Sequence, residues 1–387
     1  MWIPRKTEEL IDRMTGQFPA VLITGARQTG KTSILRHMYA DASYLSLDLP
    51  ANAEAAHTAP EQLLDRYPGQ VIIDEIQYAP SLLRYIKNRI DADRSPGKYL
   101  LTGSQLFSLM QGVSESLAGR CGIINLHTLS MSELIEAGID MEETSYIFMG
   151  GYPELHVGAD IDLWFPSYVA TYLERDVRNI LRVVDLQDFN RFIRACALRT
   201  SQLLNYSDLA RDTGIAPNTA RKWLSLLQSS VVVTLIEPYF GNRTKRLIKS
   251  PKLVFHDTGL AAFLAGFRNE QDLFRSSLAG AFWESHVFGQ VIKHNSFIGN
   301  SKNICFWRTA NGPEVDMVIE RAGGTILAVE CKYKEHPDIS DSAGLRALAD
   351  AEKGRVKEKY LICRTEVPYK LSDGTWVMGL TDLLKNL

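Results

Sequence analysis

The chain has few cysteines, no surplus of charge of either sign and no long apolar run. Its five cysteines, Cys121, Cys196, Cys305, Cys331 and Cys363, stand far apart and form no metal-like pair. Neither a disulfide framework nor a zinc ribbon is expected, and free thiols suit a reducing cytosol. The formal net charge is −2 over 387 residues, which excludes a protein basic all over, so any surface for nucleic acid has to be local. No stretch of about eighteen apolar residues occurs, and Met1-Trp2-Ile3-Pro4-Arg5-Lys6 opens no apolar signal core. Membrane spanning and secretion are not expected, and the expected location is cytoplasmic. Repeats and low-complexity segments are absent too. What remains is 45% hydrophobic and 23% charged, a globular composition at a length that predicts two or three domains.

Against this plain background one stretch stands out. Gly25-Ala26-Arg27-Gln28-Thr29-Gly30-Lys31-Thr32 fits the phosphate-binding loop G-x-x-x-x-G-K-[ST] at every fixed position. The β-prone run Ala20–Thr24 precedes it, and Ser33–Met38 reads as helix. A strand feeding a glycine turn into a helix N-terminus aims backbone N–H groups and the positive end of a helix dipole at one point. A nucleoside triphosphate, ATP, is expected there on residues 25–33, including Ser33. Lys31 would reach the β- and γ-phosphates, and the Thr32 hydroxyl would complete the shell of Mg²⁺.

From residue 20 to about 135, short apolar strands alternate with helical stretches, which predicts a parallel α/β sheet. The expected strands are Ala20–Thr24, Tyr44–Leu49, Val71–Asp74, Tyr99–Thr102 and Gly122–Leu126. Ligands of such sheets sit beyond the strands' carboxyl ends. Val71-Ile72-Ile73-Asp74-Glu75 fits a Walker B site, with Asp74 toward magnesium and Glu75 polarising the attacking water; two ordinary surface acids are the alternative. At the end of the fourth strand, Ser104, or else Thr102, would sense the γ-phosphate or position water, unless both simply cap the strand. Asp48 could be another such cap. Arg120, on Ser116-Leu117-Ala118-Gly119-Arg120, is either an arginine finger acting on a neighbouring subunit in a homo-oligomer or a surface salt-bridge partner.

The motifs TGARQTGKT, VIIDEIQ, LLTGSQ and SLAGR, with GGYPE at 150–154, resemble a prokaryotic group of AAA-type ATPases. That resemblance implies an AAA-like module followed by a region long labelled as of unknown function, built from a winged helix and a restriction-endonuclease-like fold. The expected fold class is thus α/β: a P-loop AAA-type domain over 1–150, a mostly helical winged-helix segment over 151–270, and a restriction-like α/β domain over 271–387.

The middle segment reads independently as helix-turn-helix. Trp164 to Leu204 is helical in pattern, and Arg175 or Arg178 there faces either nucleotide or its own helical neighbours. A helix capped by Ser207 stops at Gly214, and a second begins at Pro217. Ala220, Trp223, Leu224 and Leu227 follow i, i+3, i+4, i+7 and would pack inward. Asn218, Thr219, Arg221 and Lys222 are left facing out, as on a recognition helix. Strand-like Val231–Ile236 follows, and then Arg243–Lys252, with five positive charges and no acid. Arg243, Lys245 and Arg246 would contact phosphate. The partner is nucleic acid, DNA in the first instance; docking of a protein is the alternative.

After a helical stretch through Phe282–Phe288, three β-like runs appear: Ile304–Arg308, Val315–Ile319 and Ile326–Tyr333. If the turn between the last two centres on Gly323, Asp316 pairs with Glu330, and Lys332 lies on the same face two residues further on. An acid followed by Glu-x-Lys on the next strand resembles a restriction-nuclease site. The carboxylates would hold Mg²⁺, Lys332 would steady developing phosphate charge, and Glu284 would join from the preceding helix. No proline stands directly before Asp316, a departure from the motif. The alternative is a degenerate site that binds DNA or protein, with Lys332 in an ion pair.

Overall fold

In the computed structural model, residues 2–103, 112–113, 115–173, 186–240, 250–299, 304–309 and 312–387 are described. Ser104, Arg175, Arg178, Arg243, Lys245 and Arg246 lie outside these ranges.

The strands of the first module are β1 (Ala20–Thr24), β2 (Ser43–Ser46), β3 (Val71–Asp74), β4 (Tyr99–Thr102) and β5 (Cys121–Asn125). They pair in parallel in the order β2-β3-β4-β1-β5. β1, β3 and β4 are buried along their whole length, as continuous apolar runs between two helical layers should be. The carboxyl ends of β1 and β3 lie on one edge, which brings the glycine loop and the Asp74-Glu75 pair together.

The second half is built on one sheet. Its strands are β6 (Gln202–Leu203), β7 (Val233–Pro238), β8 (Lys252–Phe255), β9 (Ile304–Arg308), β10 (Glu314–Glu320), β11 (Ile326–Cys331), β12 (Val356–Ile362), β13 (Tyr369–Lys370) and β14 (Trp376–Met378). Among the described residues they run β13-β14-β12-β11-β10-β9-β7-β8-β6. The expected boundary near residue 270 falls between strands that pair: Glu237 and Pro238 of β7 lie parallel to Cys305 and Phe306 of β9. One apolar core accordingly runs from Phe189 and Trp223 through Phe255 and Trp283 to Ile362.

The helix-turn-helix pair is Tyr206–Thr213 and Pro217–Ser229. Its first cap is Asn205, whose side chain accepts from the Ser207 and Asp208 amides, so Ser207 lies inside the helix and does not cap it. Gly214 turns in the left-handed region, and Ala220, Trp223, Leu224 and Leu227 are buried. Asn218, Arg221 and Lys222 are exposed and Thr219 is half-buried.

Among the described residues no helix is long and apolar enough to cross a membrane.

Candidate functional site

Gly25 leaves β1 with φ +141, and a Cβ there would stand 2.2 Å from the Leu126 carbonyl oxygen. Only glycine allows so close an approach. Gln28 also has positive φ, and Gly30, at φ 90, opens the helix Lys31–Met38. Lys31 Nζ donates to the Ala26 carbonyl at 2.8 Å and to the Gly25 carbonyl at 3.2 Å. The ammonium is thus held against the loop, where it would donate to a phosphate alongside the loop's amides.

Thr32 Oγ1 donates to Asp74 Oδ1 at 2.7 Å, which joins the end of the loop to the end of β3. Thr102 Oγ1 donates to the same oxygen and accepts from the Glu75 amide at 3.2 Å. Glu75 has φ 58, a left-handed conformation that costs a non-glycine residue energy and aims its side chain away from the strand direction. Its carboxylate accepts from Gln77 Nε2. A cavity of about 320 Å³ is lined by Arg27, Gln28, Gly30, Lys31, Thr32, Ser33, Asp48 and Glu75. Six of the expected loop residues, Arg27, Gln28, Gly30, Lys31, Thr32 and Ser33, and Glu75 therefore meet around one space, next to Asp74.

Two side chains here escaped the sequence reading as site residues. Tyr44 OH donates to Asp74 Oδ2 at 2.8 Å; burial and the Asp74 carboxylate push its pKa up to about 12. Asp48, for which a cap is one reading, lines the cavity. Both follow from β2 lying beside β3, a pairing no local pattern announces.

Arg120 lies just before β5 at the amino end of the parallel sheet, the edge opposite the loop. Five strand residues separate the two edges, about 16 Å, so it does not reach its own chain's cavity. Its Nε donates to Asp91 Oδ1 at 2.6 Å, and Lys87 pairs with the same carboxylate at 2.8 Å. Lys87 and Arg120 hold Asp91 down to about 2.

A second cleft, of about 550 Å³, opens on the other sheet and is lined by Lys252, Glu284, Glu314, Asp316, Glu330 and Lys332, among others. The β10–β11 register, with Met317 opposite Val329 and Glu320 opposite Ile326, centres on Gly323 and carries Asp316 to the place opposite Glu330. A bulge between Val315 and Val318 on the β9 side sits at Asp316, the kind of irregularity that re-aims a side chain. Lys332 Nζ donates to Glu330 Oε1 at 2.6 Å. Glu284 approaches from the helix Ala279–Phe297.

At the centre of this cleft is Lys252, counted from the sequence among the exposed charges of a basic wing. It is 2% exposed. Its Nζ donates to Glu284 Oε1 at 2.7 Å and Asp316 Oδ1 at 3.1 Å, and pairs with Glu314. Asp316 Oδ2 is taken by the Cys331 amide at 2.9 Å. Burial alone would lower the Lys252 pKa, but Glu284, Asp316 and Glu314 outweigh it and raise it. Burial and Asp316 raise Glu330, with Lys332 opposing. A divalent cation at Asp316 and Glu330, as expected from the sequence, would meet the Lys252 ammonium at Asp316 Oδ1. Among the described residues, no three histidine, cysteine, aspartate or glutamate side chains are arranged to hold a metal ion.

Buried polar groups join the two halves. On the side of the first module, Arg5 ties this region to the glycine loop: it donates to the Thr29 carbonyl at 2.9 Å, to the His127 carbonyl at 2.7 Å and to Glu133 at 3.0 Å. His127 stacks on His256 at 5.2 Å; burial lowers both, His256 to about 4, so neutral rings face each other. Asp257 accepts from the Gly151 amide at 2.8 Å, and a Cβ at Gly150 would stand 2.1 Å from its Oδ1. The helix Ala279–Phe297 spans the same junction: Gln290 accepts from the Met131 amide at 3.2 Å, and Lys293 donates to the Leu129 carbonyl at 3.0 Å and the Tyr146 hydroxyl at 2.8 Å.

Three family models match successive parts of the chain. Residues 17–135 match an AAA domain, residues 142–271 a domain of unknown function (DUF8612), and residues 279–383 another (DUF4143). Among solved structures, the chain is similar to the Walker-type ATPase paby2304 of Pyrococcus abyssi, with TM-score 0.47 and 17% identity over 68% of this chain and 96% of that one. It is also similar to the Thermotoga maritima RuvB Holliday junction branch migration motor, with TM-score 0.29 and 16% identity over 59% and 85%. Uncharacterized protein Rv2008c of Mycobacterium tuberculosis and Uncharacterized protein Mb2031c of Mycobacterium bovis are each 31% identical over 346 residues, 88% of this chain and 76% of theirs. At that identity and coverage the chain belongs to one family with these two mycobacterial proteins, and its own residues 17–135 carry the AAA domain of a P-loop ATPase.

Proposed function

We propose that this protein is a magnesium-dependent ATPase that uses its nucleotide state to change how its C-terminal half engages DNA. The observation that carries the first part is the Thr32–Asp74 hydrogen bond of 2.7 Å at the mouth of the loop. It joins the two residue types that share a magnesium shell in P-loop sites, so Thr32 and Asp74 would hold the ion. A bound Mg²⁺ supplies charge neutralisation between the β- and γ-phosphates. Lys31 pairs with the same phosphates. Glu75 orients the attacking water, and Thr102 fixes the Glu75 backbone.

The coupling rests on the helix Ala279–Phe297, which carries Lys293 at the ATPase junction and Glu284 in the second cleft. Nine residues separate them, about 13 Å along a helix. Movement of the first module is therefore transmitted to the cleft through one rigid element. Asn218, Thr219, Arg221 and Lys222 of the second helix of the helix-turn-helix, with Arg243, Lys245 and Arg246, supply the DNA surface in this reading.

A second reading, DNA cleavage, is favoured by the meeting of Asp316, Glu330, Lys332 and Glu284 in one cleft. Incubating the protein with linear, circular and branched DNA, with and without ATP in Mg²⁺ and Mn²⁺, separates the two. The switch reading predicts nucleotide-dependent binding and intact DNA. The ATPase part is tested by nucleotide binding and phosphate release: Lys31→Ala should lose tight ATP binding, and Glu75→Gln should bind ATP and hydrolyse it slowly. Normal turnover in Glu75→Gln would remove Glu75 from its role.

A further inference from the structure

The carboxylates of the second cleft are neutralised from within the chain. We propose that Lys252 is the cleft's resident cation, its ammonium standing where Glu284, Glu314 and Asp316 converge, in the place a metal ion takes in restriction-like sites. This rests on the reading of the cleft as restriction-like.

An ammonium has three N–H donors and no acceptor, and three carboxylates surround this one. Its donors are spent on the groups a divalent ion would need. The nitrogen–oxygen distances of 2.7 and 3.1 Å are those of charge-assisted hydrogen bonds, and a divalent ion drawn to the same oxygens would meet the ammonium at close range as a like charge. The sheet holds the lysine there: Lys252 pairs with Leu203 of β6 on one side and with Ile236 of β7 on the other. Its backbone is pinned by neighbours on both edges, so its place is a property of the fold and not of one rotamer.

An independent observation marks the cleft as a binding place. Glu330 is 6% exposed, and its Oε2 is buried with no hydrogen-bond partner. Leaving a buried carboxylate oxygen unmatched is costly, and sites that retain such groups are ones where an outside donor or cation completes the set. Glu330 Oε1 is already held by Lys332. Withdrawing the Lys252 charge would leave Glu284, Asp316 and Glu330 with acceptors for one hard divalent ion.

The test is Mn²⁺ uptake by the full chain without nucleotide, read by electron paramagnetic resonance and by the thermal midpoint. Wild-type protein should take up none in the cleft, and neither should Lys252→Arg. Lys252→Met should bind one Mn²⁺ per chain and gain thermal stability from it; adding Asp316→Asn should abolish both effects. If Lys252→Met does not fold, Lys252→Met/Glu314→Gln, with one carboxylate fewer to neutralise, takes its place. Mn²⁺ bound by wild type and lost in Asp316→Asn overturns the lysine proposal while upholding the restriction-like reading. A folded lysine variant that takes up no more Mn²⁺ than wild type, with none bound by either, overturns both.

Discussion

Replacing Lys293 with methionine should flatten an alkaline rise in the protein's stability. The Lys293 ammonium is buried at the junction of the two halves, against the Leu129 carbonyl and the Tyr146 hydroxyl. Burial brings its pKa from 10.5 down to about 8, with Asp257 and Glu133 opposing and Arg5 adding to the fall. The folded value lies below the unfolded one, so between about pH 8 and 10.5 the unfolded chain holds more protons. Stability therefore rises with pH across that window and is lost as pH falls back through the folded value. At about 1.4 kcal/mol per pH unit, the full rise is about 3 kcal/mol. Methionine keeps most of the side-chain length and removes the titration. The Leu129 carbonyl still receives the Tyr146 hydroxyl at 2.6 Å, so no acceptor is orphaned. Urea unfolding of both proteins at steps from pH 7.5 to 10, followed by circular dichroism, gives the difference curve; tyrosines and cysteines titrate in both and cancel. Wild type should gain on Lys293→Met by about 2 kcal/mol over this range. Parallel curves would refute the depressed lysine and the dry junction it implies.

Three further outcomes are expected. Tyr44→Phe removes one hydrogen bond to Asp74 and should change ATP turnover modestly, less than about tenfold, while leaving ATP affinity near wild type; a loss as large as that of Lys31→Ala would show that Tyr44 touches nucleotide. If Arg120 acts on a neighbouring subunit, mixing Arg120→Ala with Glu75→Gln protein should raise hydrolysis above that of either alone, since such a mixture would contain junctions with both groups intact; turnover independent of protein concentration in a chain that stays monomeric with ATP would rule out the arginine acting in trans. Neutralising Arg243, Lys245 and Arg246 should weaken binding to all DNA sequences and flatten the dependence of log K on log salt by about one unit per lost contact, whereas Arg221→Ala should alter preference; no DNA affinity at low salt would make the helix-turn-helix a protein-docking surface.

The parts of this protein legible in its sequence are those encoded locally. The glycine loop, the Val71–Asp74 strand and the Gly323 turn declare themselves by spacing, because each is a run of neighbours whose geometry depends on few residues elsewhere. The Asp316–Glu330 juxtaposition was legible for the same reason, since a hairpin's register follows from its turn. Lys252 was not. In the sequence it ends a basic run, and its burial comes from Glu284, Glu314 and Asp316, which the fold brings to it from distant positions. The β7–β9 pairing that joins the two C-terminal segments is likewise non-local, and no pattern within either strand announces its partner. The capping error is smaller in scale: Asn205 and Ser207 are both competent caps, and the structure uses the earlier one.

In the proposed function, nucleotide state at the Lys31 loop alters engagement of DNA by the C-terminal half. It is tested most directly by the DNA affinity of Glu75→Gln protein at one salt concentration, in saturating Mg-ATP and then in Mg-ADP. Clearly different affinities are expected, with no difference in a Lys31→Ala control. Equal affinities in ATP and ADP, with ATP shown to be bound, would contradict it.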